Sequence, residues 1–185
     1  MRELYGDLWT LARLHHPDAI CILTSGFCRR NGTAVMGRGS AAKAAKYWPA
    51  LPAIYGRLLA SQELNTILIP RESILNPNYP KSPFAFELIA FPTKPREARS
   101  TFSNVIKQYR FKFPTGSIVP GFACMADRHL IQQSAERLML MVNDNQWSSV
   151  YLPRPGCGNG QLHWARDVQP ILAPILDDRI AIITN

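Results

Sequence analysis

The segment Ala19–Leu23 is a short, unbroken run of apolar residues. Such a run is typical of a strand that is buried on both faces, as in a parallel sheet. Four further segments favour strands: Thr66–Ile69, Glu87–Phe91, Ser149–Leu152 and Arg179–Thr184. They alternate with segments that favour helices, which predicts an α/β sandwich with a largely parallel sheet. Ligands in such folds bind at the carboxyl ends of the strands.

A first helix is predicted over Ser40–Tyr47, which is rich in helix-forming residues. Ser40 is a residue type that often caps helices, and Pro49 and Pro52 are expected to end this one. Further along, Asn76–Pro83 contains repeated proline and asparagine and is predicted to be a loop.

A second helix is predicted to follow Asp127, whose side chain suits an N-cap. Its apolar residues recur at helical spacing, at Leu130, Ile131, Ala135, Leu138, Met141 and Val142. A third helix is predicted over Val168–Leu176 with Asp167 as its cap. Pro170 then falls in the first turn, where proline is tolerated.

Two glycine-rich loops, Val35–Ser40 and Pro155–Gly160, each lie between a predicted strand and a predicted helix. Glycine lets the backbone approach a ligand closely and direct several N–H groups at one anion. A helix that begins after such a loop adds the positive end of its dipole. Either loop alone is explained equally well by a tightly packed turn, but the pair predicts a clamp around a diphosphate.

Two common nucleotide-binding signatures do not account for these loops. Gly37–Ala42 matches the loose pattern G-x-G-x-x-G/A, but the strand before it ends near Leu23. In a dinucleotide-binding fold the loop follows its strand at once. The sequence also lacks G-K-[ST], so a P-loop is excluded.

The chain has 185 residues, of which 46% are hydrophobic and 18% charged, as expected for a single globular domain over residues 1–185. Its 21 lysines and arginines exceed its 13 acidic residues, which gives a net charge of +8. This charge favours a polyanionic partner, although it also serves general solubility. No apolar run approaches the ~18 residues of a membrane span, and no signal-peptide core follows Met1. A cytoplasmic protein without membrane contact is therefore expected.

The spacing of cysteine and histidine predicts no metal site, and no cofactor is expected. Cys21 lies in the first apolar run and is expected to be a core thiol. Cys157 lies in the second glycine loop, where only His163 is close enough in sequence to activate it. We therefore expect Cys157 to pack beneath the loop instead of acting as a nucleophile.

Residues 96–122 follow neither a helical nor a strand period and are interpreted as an irregular insertion and a candidate functional segment. Basic residues are concentrated between Lys94 and Lys112, and aromatic residues are interleaved with them at Phe102, Tyr109, Phe111 and Phe113. This pattern suits stacking of unpaired bases, which makes single-stranded DNA a candidate partner. A buried aromatic edge is the alternative interpretation.

Four segments together resemble the macrodomain family, whose members bind ADP-ribose with a three-layer α/β/α fold. They are Gly6–Leu8, similar to the family's G-D-[IL] motif; Asn31–Gly39, similar to its first phosphate loop; Phe91–Lys94, similar to a segment of antitoxins that are DNA ADP-ribosyl glycohydrolases; and Leu152–Trp164, similar to its second loop and the following helix. The resemblance is to the branch of terminal ADP-ribose glycohydrolases and DNA-directed antitoxins, with phage and actinobacterial relatives. It does not cover residues 96–122.

This resemblance implies roles for particular residues. Lys94 would be catalytic at the anomeric carbon of the distal ribose, with Arg96 and Arg99 as the cations expected to lower its pKa. Asp7 would accept a hydrogen bond from the adenine amino group. The residues expected to bind ADP-ribose are Asp7, Leu8, Ser25, Gly26, Asn31, Val35, Met36, Gly37, Arg38, Gly39, Ser40, Pro155, Gly156, Cys157, Gly158, Asn159, Gly160 and Gln161.

The implied function is binding of ADP-ribose and hydrolysis of an ADP-ribosyl linkage on DNA or protein. Gly160 stands where some glycohydrolases carry an acidic partner for the lysine, and the DNA-directed branch lacks that acid too. Three alternatives stay open: a non-catalytic ADP-ribose reader, a phosphatase acting on ADP-ribose 1″-phosphate, and a nucleic-acid-binding module built on residues 96–122.

Overall fold

The computed structural model describes residues 1–61, 63–70 and 86–184, so the predicted loop Asn76–Pro83 lies outside the described residues. The strands are β1 (Arg2–Tyr5), β2 (Ala19–Ser25), β3 (Ile67–Ile69), β4 (Glu87–Lys94), β5 (Glu97–Arg99), β6 (Ile118–Pro120), β7 (Val150–Pro153) and β8 (Ile180–Thr184). The α-helices are α1 (Leu8–His15), α2 (Gly39–Tyr47), α3 (Leu51–Ser61), α4 (Arg128–Asp144) and α5 (Gln169–Leu172). The chain also forms 3-10 helices at Lys107–Lys112 and Gly121–Ala123 and a π turn at Trp164–Val168.

Six strands form one mixed sheet in the order β1-β8-β7-β2-β4-β3. Neighbouring strands are parallel except at one edge, where β3 is antiparallel to β4. The remaining strands, β5 and β6, form a separate antiparallel pair. The predicted largely parallel sheet is therefore confirmed.

Alternate residues of β2 belong to two different cores. Ile20 and Ile22 pack with α1, α2 and α3, whereas Ala19 and Cys21 pack with α4 and α5. All four side chains are fully buried. Burial on both faces explains the unbroken apolar run, because neither face of the strand meets water. The three-layer α/β/α arrangement is confirmed, and Cys21 is a core thiol as predicted.

Helix α4 begins as predicted. The Asp127 carboxylate accepts hydrogen bonds from the backbone N–H groups of His129 at 2.8 Å and Leu130 at 3.2 Å. These are among the N–H groups that a helix cannot satisfy internally. Its apolar face then covers one side of the sheet.

One prediction about the region around α2 is wrong. Ser40 is not the N-cap, because the helix begins at Gly39 and the Ser40 hydroxyl instead accepts a hydrogen bond from the Leu23 N–H at 2.9 Å. Helix α2 ends at Tyr47, just before Pro49, as predicted. Pro52 lies in the first turn of the next helix, α3, where a missing N–H costs nothing.

Asp167 also has a different place from the one predicted. It lies inside the π turn, whose N-cap is His163. Its buried carboxylate accepts hydrogen bonds from the Arg166 guanidinium and from the His163 N–H. Pro170 lies in the first turn of α5, as expected.

Residues 96–122 are more regular than predicted. They contain β5, β6 and a 3-10 helix, held together by a small core around Val105, Val119, Ala123 and Cys124. Within the described residues, none of the helices combines the length and apolar character of a membrane span.

Candidate functional site

A cleft of about 370 Å³ opens at the carboxyl ends of β2 and β4 and is bordered by both glycine loops. Clefts of this size hold small-molecule ligands in other proteins. Its lining consists of Leu23, Thr24, Ser25, Val35, Gly37, Arg38, Gly39, Ser40, Ala41, Thr93, Lys94, Gln108, Tyr109, Phe122, Gly156, Gly158, Asn159 and Gly160. The fold thus brings together two loops that lie far apart in sequence, at the sheet edge where a ligand site was predicted.

The first glycine loop leads directly into α2 at the cleft. Gly39 has a φ of 60°, in the left-handed region that favours glycine. Gly39, Ser40 and Ala41 all line the cleft, and the cap residue Arg38 makes no side-chain hydrogen bond to this end of the helix. The first backbone N–H groups of α2 and the positive end of its dipole are therefore available to an anion.

The second glycine loop is held in shape by its own backbone. The Leu162 N–H donates to the Gly156 carbonyl at 3.0 Å, and the Gln161 N–H donates to the Gly158 carbonyl at 3.0 Å. A Cβ at Gly160 would overlap backbone atoms of the same loop, whereas Gly158 has open space around it. Close packing at Gly160 therefore fixes the loop, and the open space at Gly158 leaves room for a ligand close to the backbone.

Lys94 is the last residue of β4, and its side chain is only 5% exposed. Its Nζ donates hydrogen bonds to the carbonyl oxygens of Asn159 at 3.1 Å and Phe122 at 3.3 Å. Burial lowers the pKa of Lys94 to about 8, and the positive charge of Arg38 acts in the same direction while Cys124 opposes it. At pH 7 most Lys94 side chains therefore remain charged, and roughly one in ten is a free amine.

The cations predicted to act on Lys94 were wrongly assigned. Arg96 donates to the carbonyl of Leu59, and Arg99 donates to the carbonyl of Gly116 at 2.9 Å. Burial and Arg38 are what depress the pKa of Lys94. Arg38 comes from the first glycine loop, so its effect depends on a contact between distant parts of the chain.

One wall of the cleft comes from residues 96–122. Gln108 and Tyr109 lie on the 3-10 helix Lys107–Lys112, and the Tyr109 ring meets Phe122 edge-on with centroids 5.7 Å apart. These wall residues were missed as ligand-site candidates, although the aromatic pattern of the segment had marked Tyr109 as a stacking residue. The wall depends on tertiary packing that no local pattern encodes.

The same 3-10 helix presents aromatic surface on its outer side. Phe111 is 94% exposed and Phe102 is 43% exposed. The Arg110 guanidinium lies 5.5 Å from the centre of the Phe102 ring. In contrast, Tyr109 and Phe113 pack against the small core of the segment. The buried-edge interpretation therefore holds for Tyr109 and Phe113, whereas stacking of bases on Phe102 and Phe111 stays a prediction.

The charged lining of the cleft is entirely positive. Arg38 and Lys94 are its charged side chains, and none of the described lining residues carries a carboxylate. Arg38 also spans the cleft, donating to the side-chain carbonyls of Asn159 at 3.2 Å and Gln108 at 3.5 Å. Such a cleft favours an anionic ligand.

Several predicted site residues lie outside the cleft lining: Asp7, Leu8, Gly26, Asn31, Met36, Pro155, Cys157 and Gln161. Leu8 and Met36 are buried in the core between the sheet and α1–α3. The Asp7 carboxylate accepts from the Thr10 N–H at 3.1 Å, which caps α1, and also pairs with Lys43. The Asn31 side chain accepts from the N–H and hydroxyl of Thr33 within an exposed turn.

Cys157 packs against the core below the second loop, and its thiol donates to the Pro155 carbonyl. Burial raises the pKa of Cys157 to about 11, which keeps it a neutral thiol at physiological pH. Among the described residues, no group of three or more His, Cys, Asp or Glu side chains is arranged to hold a metal ion.

Comparison with known proteins identifies the architecture. No protein-family model matches the sequence, and no curated protein matches it. The macrodomain of Mycobacterium tuberculosis DarG is similar with a TM-score of 0.64 at 18% identity, over 100% of this chain and 97% of that chain. The Thermus aquaticus DarG macrodomain is similar with a TM-score of 0.62 at 17% identity, over the same shares of 100% and 97%. This chain has the macrodomain fold.

A third similar structure is that of Thermosipho africanus DarTG in complex with ADP-ribose. Its TM-score is 0.61 at 19% identity, and the match covers 96% of this chain but 39% of that longer chain. In the present macrodomain fold, three of the four segments that carry the sequence resemblance contribute to the cleft lining. The fourth, Gly6–Leu8, is joined to α2 by the ion pair between Asp7 and Lys43.

Proposed function

We propose that the cleft binds ADP-ribose and that Lys94 takes part in removing ADP-ribose from a modified substrate. One observation carries this proposal: both glycine loops and Lys94 border the same cleft. Among the described lining residues, every charged side chain is a cation. A diphosphate is favoured by such a lining over an uncharged ligand. The ADP-ribose bound in the similar Thermosipho africanus structure supports the identity of the ligand.

The diphosphate would occupy the space between the start of α2 and the backbone of Gly158–Gly160. Both offer main-chain N–H groups without a competing carboxylate. The adenine would lie toward Asp7, whose carboxylate is held beside α2 by Lys43. The hydrogen bond from Lys43 lowers the pKa of Asp7, so an ionised acceptor is available for the adenine amino group.

Lys94 would act at the distal ribose. With a pKa of about 8, roughly one Lys94 side chain in ten is a free amine at pH 7. The amine would attack C1″ while the bond between C1″ and the aglycone breaks, and the aglycone leaves with the bonding electrons and takes up a proton. Water then cleaves the lysine adduct, which releases ADP-ribose and restores the amine.

Single-stranded DNA is our proposed carrier of the ADP-ribosyl group. The support is the outer surface of the 3-10 helix Lys107–Lys112, where Phe111 and Phe102 are exposed beside Arg110. The inner side of the same helix lines the cleft through Gln108 and Tyr109. Bases that flank a modified nucleotide would stack on the exposed rings while the ADP-ribosyl group occupies the cleft.

The test is release of ADP-ribose from an ADP-ribosylated single-stranded oligonucleotide by wild type and Lys94→Ala. Lys46→Ala, which removes an exposed lysine of α2, is the matched control. We expect release by wild type and by the control, and loss of release by Lys94→Ala with ADP-ribose binding retained in calorimetry. Equal rates for wild type and Lys94→Ala would contradict the role of Lys94. Binding without release from DNA or protein would identify a reader.

A further inference from the structure

Gln161 has an unusual backbone conformation. Its φ is 61°, in the left-handed region that side-chain-bearing residues rarely adopt. It directly follows Gly158–Gly160, and glycine is the residue that adopts this conformation without strain. We therefore expect the Gln161 side chain to make an interaction that offsets this strain.

The Gln161 side chain contacts a different part of the chain. Its Oε1 accepts a hydrogen bond from the Lys107 N–H at 3.1 Å. Lys107 begins the 3-10 helix Lys107–Lys112, and the first N–H groups of a helix have no acceptor within it. The local cap residue, Ile106, makes no side-chain hydrogen bond to this end. Gln161 therefore caps this helix from the second glycine loop.

The helix that Gln161 caps carries the wall of the cleft. Gln108 and Tyr109 line the cleft, and Gln108 also accepts from Arg38 at 3.5 Å. Gln161 itself does not line the cleft. Its side chain thus connects the second glycine loop to the wall without occupying the space of the ligand.

We propose that Gln161 is a positioning residue that holds the wall of Gln108 and Tyr109 against the second glycine loop. Building on the proposed function, the wall sets the path of the aglycone next to Lys94, whereas the glycine loops hold ADP-ribose itself. Removal of the Gln161 side chain then impairs release of ADP-ribose from the oligonucleotide much more than it weakens binding of free ADP-ribose.

Two substitutions separate this role from a structural one. Gln161→Gly removes the side chain and also the backbone strain. Gln161→Asn keeps the amide and a residue that tolerates this conformation, but it is one methylene too short to reach the Lys107 N–H. In both variants the melting temperature should stay within a few degrees of wild type, because relief of backbone strain offsets the lost hydrogen bond. A side chain needed only for stability would lower the melting temperature well beyond that range.

The first readout is hydrogen exchange at the Lys107 amide, which requires neither ligand nor turnover. We expect exchange about fivefold faster in both variants, equivalent to the loss of one hydrogen bond. Exchange unchanged from wild type would overturn the proposal. The exchange measurement still tests the role of Gln161 if wild type fails to bind ADP-ribose. That failure would overturn the proposed function instead.

The second readout compares kcat and KM for release from the oligonucleotide with the Kd for free ADP-ribose. We expect kcat to fall about tenfold while the Kd changes less than about threefold, because the binding loops are untouched. A Kd that weakens as much as kcat falls would show that Gln161 binds the ligand directly and would overturn the positioning role.

Discussion

Replacing Lys94 with methionine should make the protein more stable at neutral pH while removing its proposed activity. Lys94 is only 5% exposed, and its pKa is lowered from 10.5 to about 8, chiefly by burial. At pH 7 the folded protein therefore carries a buried charge that the unfolded chain exposes to water. Methionine has a similar shape and no charge to bury.

The magnitude follows from the two pKa values. The difference between 10.5 and about 8 corresponds to about 3 kcal/mol of destabilisation at pH 7. Methionine also leaves the carbonyls of Phe122 and Asn159 without their donor, which costs about 1 kcal/mol each. We expect Lys94→Met to raise the free energy of unfolding by about 1 kcal/mol at pH 7.

The pH dependence gives this prediction its sharpest test. Between pH 8 and 10.5 the unfolded chain still binds the Lys94 proton and the folded protein does not, so wild type gains stability as pH rises. The advantage of the variant should therefore shrink by about 1 kcal/mol between pH 7 and pH 9 in urea unfolding. Lys46→Met, at an exposed position, should change stability by less than about 0.5 kcal/mol at both pH values. A less stable Lys94→Met at pH 7, or a difference that is the same at both pH values, would refute the reasoning.

Three further predictions concern the cleft and its rim. Gly160→Ala should lose about 1–3 kcal/mol of unfolding free energy because its Cβ overlaps the loop backbone, whereas Gly158→Ala should unfold like wild type in the same urea titration. Arg38→Gln removes a positive charge that lowers the pKa of Lys94, so the midpoint of the pH–rate profile in single-turnover release should move to higher pH, with a rate about twofold lower at pH 7; an unmoved midpoint would contradict this electrostatic coupling. Phe111→Ser should raise KM for the ADP-ribosylated oligonucleotide by about five- to tenfold through lost stacking and leave the Kd for ADP-ribose unchanged; an unchanged KM would argue against this surface as the DNA contact.

The sequence was informative where local pattern and structure depend on the same residues. The run Ala19–Leu23 predicted β2 because both faces of this strand are buried. In contrast, β1 was missed, since Arg2–Tyr5 is an edge strand with exposed end residues, half-buried central residues and no apolar run. Helix α3 was missed because Pro52 was interpreted as a stop signal, although proline is tolerated in a first turn.

The candidate site was predictable only in part, because some of its residues are placed by contacts between distant parts of the chain. Glycine loops and Lys94 have recognisable local sequences, and the structure brings the cleft-lining members together at one sheet edge. The cleft wall of Gln108 and Tyr109 depends on contacts with Phe122, Arg38 and Gln161, which lie in other parts of the chain. Spacing along the sequence does not report such contacts.

The central claim is that the cleft between the two glycine loops binds ADP-ribose. Isothermal titration calorimetry of ADP-ribose into wild type tests it most directly, with AMP as the competing ligand because AMP lacks the second phosphate and the distal ribose. We predict one site with a Kd of about 1–10 μM for ADP-ribose and binding of AMP weaker by at least about tenfold. Absence of heat at millimolar ADP-ribose, or equal affinity for AMP, would contradict the account.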